Sequence, residues 1–409
     1  MAATRSTRLA IYRKRLAAVL IATQIAVTLA ILANAATIVV ERLSWSTQPT
    51  GIDEANIFFT YSENIDTETP ANLAASKLAD LAALRAMPGI VDAFPTESFP
   101  LQGGGWNLNV NLARDQKTPS ATTSYYFGDE HALNTFGLKL IAGRNFTASE
   151  VVNRDAETVP PINGVIVTHA LAEKLFPKGD ALGKPIYVEN LTTPVLIIGI
   201  VDRLQGPFVN ASGYYSTFVE NSVIAPYRLV DDQAWFAVRT KPGQLNSVMQ
   251  AAQAALTKLA SHPIVNATSM IQVRAAAYRS QRGLALLLGA VALTLVAVTA
   301  FGMVGLTSYW VSQRRRQIGV RRALGATRLA ILRHFQKENL AIAAAGVAVG
   351  SLLAIALNIW LVNRFEMVRI GSVYLICGSL AMILLGQIAV FWPASRAMEI
   401  PPATAARGG

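Results

Sequence analysis

Four long apolar blocks, at residues 16–40, 284–311, 339–362 and 370–392, constrain this chain more than any other feature of it. Each exceeds the roughly 20 residues that an α-helix needs to cross the hydrocarbon core of a bilayer. None carries Lys, Arg or Asp in its apolar centre. Hydrocarbon offers no partner to a free backbone N–H or C=O, so each block reads as a helix that bonds its own backbone. Composition agrees, with 52% hydrophobic and 15% charged residues against about 25% charged in an average soluble domain. The stretch between the first two blocks has ordinary globular composition, so the apolar excess sits in discrete spans.

The placement of Lys and Arg gives an orientation. Arg5, Arg8, Arg13, Lys14 and Arg15 precede the first span, Arg314 to Lys337 fills the connection between the second and third, and Arg396 and Arg407 follow the fourth. The opposite side has only Arg364 and Arg369 in its short loop. Positive charge favours the cytoplasmic face, so both termini and the 312–338 loop are expected in the cytoplasm and residues 41–283 outside. The net charge of +11 is thus topological, and nucleic acid is not an expected partner. The basic start followed by Ala33-Asn34-Ala35 also resembles a cleavable leader, but the apolar run continues to Val40, beyond the roughly 15 residues of a leader's apolar region. The expected layout is a cytoplasmic segment 1–15, spans 16–40, 284–311, 339–362 and 370–392, an outer domain 41–283, loops 312–338 and 363–369, and a tail 393–409.

The outer region mixes two periods. Residues 73–87 read as an amphipathic helix with Leu73, Leu78, Leu81 and Leu84 on its apolar face, ended by Pro88-Gly89. Residues 168–176 and 245–259 read as further helices. Strands are expected at 90–94, 165–167, 195–201 and 235–238. Interspersed helices and strands point to an α+β domain. The triplet Gly103-Gly104-Gly105 has no Lys-Ser/Thr after it and reads as a turn. The only cysteine, Cys377, lies in the last span, so no intrachain disulfide forms. His131, His169, His262 and His334 are scattered and cannot share one metal. No catalytic, cofactor-binding or metal-ligating constellation is visible.

The most informative segment is RRRQIGVRRALGATR, residues 314–328. Ile318, Val320, Ala323 and Leu324 form a short apolar face beside Arg314, Arg315, Arg321 and Arg322. Gly325 suits the left-handed residue after a helix end, and Thr327 suits the N-cap of the next helix. The pattern is helix, tight break, helix. Charge alone fits a loop resting on anionic lipid; the defined break fits a shaped element that docks on a protein. In the third span, Gly346 and Gly350 form a G-x-x-x-G that permits close helix contact, within the monomer or between copies.

The 314–328 segment resembles the signature loop of FtsX-like and MacB-like ABC permeases, as does the helix entry His334-Phe335-Gln336-Lys337-Glu338. Gln317 departs from that pattern, which often has glutamate there. In the outer region Phe136 to Leu140, Gly143 to Thr147, Leu171 to Pro177, Leu182 to Ile186 and Ile198 to Val201 resemble a MacB-type periplasmic core, and Pro393 to Ala397 resembles the usual tail. The likeness covers nearly the whole chain in the expected order.

That resemblance implies four membrane helices with a large α+β domain between the first two, containing an inserted subdomain at about 127–219. It also implies a bacterial inner-membrane location. Arg314, Arg315, Arg316, Gln317, Ile318, Gly319, Arg321, Arg322, Ala323, Leu324, Gly325, Ala326, Thr327 and Arg328 become the element that couples to an ATPase. The nearest approach to a phosphate loop, Gly179 to Pro185, has proline where the magnesium-binding hydroxyl belongs. ATP and Mg are therefore expected on separate ABC ATPase subunits, with no cofactor on this chain. A second permease copy, identical or not, membrane lipids and a periplasmic adaptor complete the expected partners. The expected function is efflux by force transmission, with span two carrying the movement outward and span one following. The alternative is ATP-driven signalling that controls an outer partner such as a cell-wall hydrolase, without transport.

Overall fold

The computed structural model describes residues 2–63, 69–155, 158–189, 191, 193–209, 214–231, 233–259, 264–313, 321, 324, 326–365 and 367–398. The chain forms two compact units, one of residues 1–44 with 281–409 and one of residues 45–280.

In the first unit, four helices among the described residues are long and apolar enough to cross a membrane: Arg15–Thr47, Arg279–Gln313, Arg328–Phe365 and Ser372–Pro393. They outrun the apolar blocks because a helix, once nucleated, propagates cheaply into polar flanks. The first belongs to a helix continuous from Ala2 to Thr47. Ile21, Ile25, Leu29, Met303, Ala343, Met382 and Ala389 make the central core, drawing on all four helices.

The second unit contains two main sheets. The first has strands in the order Ile264–Ser269, Ile57–Glu63, Gln233–Thr240, Ile90–Thr96, all antiparallel. Its two faces bury different sets, as the alternation of a strand requires. Phe58, Phe236 and Val238 face Leu81 and Leu84 of the helix Pro70–Ala86 and Val248, Ala252 and Leu256 of the helix Leu245–Leu259. Ile57, Phe59 and Ala237 face a core shared with Phe94, Phe99, Tyr126, Phe136 and Ile166.

The chain leaves this sheet after Ile90–Thr96 and returns to it with Gln233–Thr240. Between them lies a seven-stranded sheet in the order Leu140–Gly143, Val195–Val201, Gly164–Thr168, Ser222–Ala225, Ala121–Phe127, Trp106–Asn111, Pro185–Val188. This sheet draws on strands from Trp106 to Ala225, beyond the 127–219 expected for an inserted subdomain on both sides. Trp106–Asn111 and Ala121–Phe127 pair antiparallel, and Ser222–Ala225 lies parallel to the latter. Their polar, Asn- and Thr-rich sequences hid them from a reading based on apolar runs.

The Pro70–Ala86 helix also corrects an expectation. Leu81 and Leu84 are buried, but Leu78 is exposed, and Lys77 and Asp80 are buried in the stripe. Lys77 Nζ donates to the carbonyls of Leu229 (3.0 Å) and Gln233 (2.7 Å) and to the Asp231 carboxylate. These partners satisfy a charge that burial would otherwise penalise.

Glu97, just beyond the strand Ile90–Thr96, sits near this group. Burial and the Asp231 carboxylate push its carboxyl up from 4.5 to about 7, against the opposing pull of Lys77 and Arg154. The folded chain then holds a proton between these two values that the unfolded chain releases, so stability falls as pH rises through that window. Glu97→Gln is expected to be the more heat-stable form at about pH 8 and to lose part of the decline seen from about pH 5 upward. Thermal unfolding across that range measures it; parallel curves for the two proteins would refute the assignment.

Candidate functional site

Most of the expected coupling segment, namely Arg314, Arg315, Arg316, Gln317, Ile318, Gly319, Arg322, Ala323 and Gly325, lies outside the described residues. Arg321, Leu324, Ala326, Thr327 and Arg328 are described. The Ala326 N–H donates to the Arg321 carbonyl at 3.0 Å. The Thr327 hydroxyl accepts from the Ala330 N–H at 3.2 Å and thus caps the helix Arg328–Phe365. Leu324 is 83% exposed, and Arg321 and Arg328 are exposed beside it in sequence. An apolar side chain beside exposed cations is chemistry suited to a partner surface.

The helix that starts here is held at once. Ile331, Leu332 and Phe335 pack with Val311 of the second membrane helix and Val390 of the fourth. Further along, Gly346 and Gly350 lie on a buried seam against the first helix. A Cβ on Gly346 would sit 2.8 Å from the Ala22 carbonyl oxygen, and one on Gly350 would sit 2.8 Å from the Ala26 Cα. Only a missing side chain permits backbones to come this close. From Thr327 to Gly346 is about 28 Å of helix at 1.5 Å per residue, so these two groups of expected site residues are connected but not adjacent.

The seam is a matched ladder. Ala22, Ala26, Ala30 and Asn34 recur every four residues on the first helix; Gly346, Gly350, Ala354 and Asn358 do so on the third. Residues four apart share a helix face. Ala30 and Ala354 pack together, and Asn34 Nδ2 donates to the Ala354 carbonyl at 3.1 Å. Asn358 Nδ2 donates to Asn34 Oδ1, also at 3.1 Å. Asn358 further bonds the Val368 carbonyl and the Ile370 N–H. The second helix joins the first more sparingly: the Thr28 and Thr299 hydroxyls bond at 2.8 Å, and Gly302 accommodates Gln24. Its buried residues are Thr299, Met303, Thr307 and Val311. Gln387, in the fourth helix, has a side-chain nitrogen without a hydrogen-bond partner among the described residues, so not every polar residue in the spans ties two helices together.

In the second unit, Arg274 was not singled out by its sequence. It lies on the helix Met270–Ala277, fixed by a capping box between Ser269 and Gln272. Its guanidinium donates to the carbonyls of Ser46 (2.8 Å) and Gln48 (2.9 Å), which flank the end of the first helix at Thr47. It also pairs two-pronged with Glu54, Nε to Oε2 at 2.6 Å and Nη2 to Oε1 at 2.5 Å. Thr50 adds a hydroxyl bond to Glu54 at 2.6 Å. Arg274 therefore binds the segment where the chain enters this unit to the helix just before the chain leaves it. Its partners are more than 200 residues away in sequence, and no local pattern announces such a pair. No group of His, Cys, Asp and Glu suited to a metal occurs among the described residues.

Compared with known proteins, residues 289–402 match the FtsX-like permease C-terminal family, and residues 20–259 match the MacB-like periplasmic core domain. The macrolide export ATP-binding/permease protein MacB of Nitrobacter winogradskyi is 28% identical over 83% of this chain and 50% of its own length. The pyoverdine export ATP-binding/permease protein PvdT of Pseudomonas syringae pv. syringae is 27% identical over 69% of this chain and 42% of its own length. The chain spans about half the length of the curated relatives it matches. Among solved structures, the periplasmic region of MacB from Actinobacillus actinomycetemcomitans aligns with 55% of this chain and 92% of its own, at 16% identity and a TM-score of 0.36.

Proposed function

Since this chain belongs to the FtsX-like permeases with a MacB-like periplasmic core domain, we propose that it is the permease of an ABC-type export complex and acts by transmitting force. ATP-driven closure of separate ATPase subunits moves the 314–328 segment, and that movement changes the shape of the outer domain. Two permease copies and two ATPases form the working unit, in a bacterial inner membrane with both termini cytoplasmic.

The observation that carries this reading is the seam. The helix that begins at the capped Thr327 is locked along the Ala22–Asn34 face of the first helix. The first helix is unbroken to Thr47, and Arg274 grips the carbonyls at its end. A push on the coupling segment therefore travels along the third and first helices. This replaces the expectation that the second helix leads, because that helix buries few residues and has no small-residue ladder. The spans carry no charged residue in their apolar centres, where a carrier with a midplane site usually places one; this favours force over passage between the helices.

The test reverses charge at the docking segment. Arg321→Glu with Arg322→Glu is expected to lower recovery of the ATPase with tagged protein from native membranes by at least about tenfold, the loss of one or more charge-assisted contacts. Full ATPase recovery with the double variant would sink the coupling role of the segment. An adaptor recovered alongside supports efflux; a cell-wall hydrolase in its place supports the signalling alternative.

A further inference from the structure

A cavity of about 470 Å³ opens beside the third membrane helix near its Phe365 end. Its wall is apolar, formed by Ile355, Ile359, Val362 and Ile370, and its rim is polar, formed by Asn363 and Arg369. Ile359 is 56% exposed, so the wall is an open face and not a sealed void.

The level of this groove in the bilayer follows from its neighbours. The helix Arg328–Phe365 has 38 residues, about 57 Å at 1.5 Å per residue, so it overruns a hydrocarbon core of about 30 Å. Trp360 and Phe365 are both more than half exposed and meet edge to face with ring centres 5.6 Å apart. Exposed aromatics at a span end mark the headgroup boundary. Asn363 and Arg369 then lie at headgroup level, and Ile355 and Ile359 one to two turns deeper, beside the acyl chains.

The backbone on either side of Arg369 is held. Asn358 accepts from the Ile370 N–H at 2.9 Å and donates to the Val368 carbonyl at 3.3 Å. Both neighbours of Arg369 are thus pinned to one buried side chain. Arg369 itself makes no ion pair with any described carboxylate. An exposed guanidinium on a held stretch of backbone, without such a partner, with an amide and an apolar trough at the same groove, matches an acidic headgroup joined to a hydrocarbon chain.

We propose that this groove holds one acidic phospholipid of the bilayer, its phosphate on Arg369 and Asn363 and one acyl chain along Ile355, Ile359 and Val362. The site requires only that the helix spans a membrane and is independent of the permease reading.

The probe is dioleoyl-phosphatidylglycerol added to the purified full chain in mild detergent, with bound lipid counted by native mass spectrometry and dioleoyl-phosphatidylcholine as comparison. The wild-type chain is expected to retain phosphatidylglycerol preferentially. Arg369→Gln should weaken that retention about tenfold, the loss of a charge-assisted phosphate contact. Ile359→Trp, which fills the trough and leaves Arg369 in place, should weaken it comparably. Inorganic phosphate should not compete. The proposal is overturned by equal binding of the two lipids, by phosphatidylglycerol binding that survives both variants, or by displacement with phosphate alone, which would mark a simple anion site. Cross-linking of two copies of Ile359→Cys in a Cys377→Ser background, with no lipid bound, would overturn it in favour of a contact between copies.

Discussion

Gly350→Leu is expected to pull the first and third membrane helices apart. A Cβ at that position meets the Ala26 Cα at 2.8 Å, the Ala26 carbonyl oxygen at 2.9 Å and the Leu29 Cβ at 3.2 Å. Two of these three atoms are backbone, so no rotamer change relieves the clash; the helix axes themselves must separate. Separation strips the packing of the Ala22–Ala26–Ala30 face and breaks the two bonds across the seam, from Asn34 to the Ala354 carbonyl and from Asn358 to Asn34. Packing and such bonds are what hold helices together in lipid, where no hydrophobic drive acts between them. Overpacking of this kind costs about 3 kcal/mol, and the lost bonds between the helices add to it. The thermal midpoint of the purified chain should fall well below those of the wild type and of Leu352→Ala, a control at a side chain that is 69% exposed. If the force path is right, ATPase stimulation should fall too, even in preparations where the ATPase still binds. A midpoint equal to that of the control would show that the seam is not tight.

Arg274→Met should have the second large effect, in the outer unit. It removes both prongs on Glu54 and frees the carbonyls of Ser46 and Gln48. Arg274 and Glu54 side chains are 17% and 24% exposed, so the abandoned carboxylate is only partly rehydrated. Breaking a largely buried pair from one side costs about 3 kcal/mol. Much of that is the orphaned charge, so adding Glu54→Gln should restore part of the lost stability. No recovery in the double variant would show that Arg274 acts through packing alone. The pH dependence gives a second check. Burial pushes the Glu54 carboxyl up, but the hydrogen bonds from Arg274 and Thr50 outweigh it and hold the group below its ordinary 4.5. The pair thus stabilises the fold above that value and loses its contribution as pH falls through the lowered one. The deficit of Arg274→Met should therefore shrink in acid.

The residues that sequence reading found are those whose signal is local. A membrane span declares itself within about 20 residues, and all four did. A helix cap needs only its own turn, so Thr327 was legible as the N-cap that accepts from Ala330. The helix at 245–259 and the strand at 195–201 appear with those bounds, because an apolar stripe and a buried apolar run are each contained in one element. The G-x-x-x-G was legible as a motif, and the matching small-residue ladder from Ala22 to Asn34 stood in the sequence beside it. Nothing local joined the two, since Asn34 and Asn358 are 324 positions apart.

Tertiary structure decided the rest for that same reason. Lys77 reads as a solvated helix residue until carbonyls more than 150 residues away are brought to its ammonium. Leu78, its apolar neighbour, is turned outward because the sheet meets the helix on the Lys77–Leu81–Leu84 side. The seven-stranded sheet took in Trp106–Asn111 and Ala121–Phe127 because strand pairing satisfies backbone groups whatever the side chains are. Sequence determined what each segment of this protein is, through short-range sterics and hydropathy. Which faces meet, and hence where force can pass, was decided only when close packing selected among them.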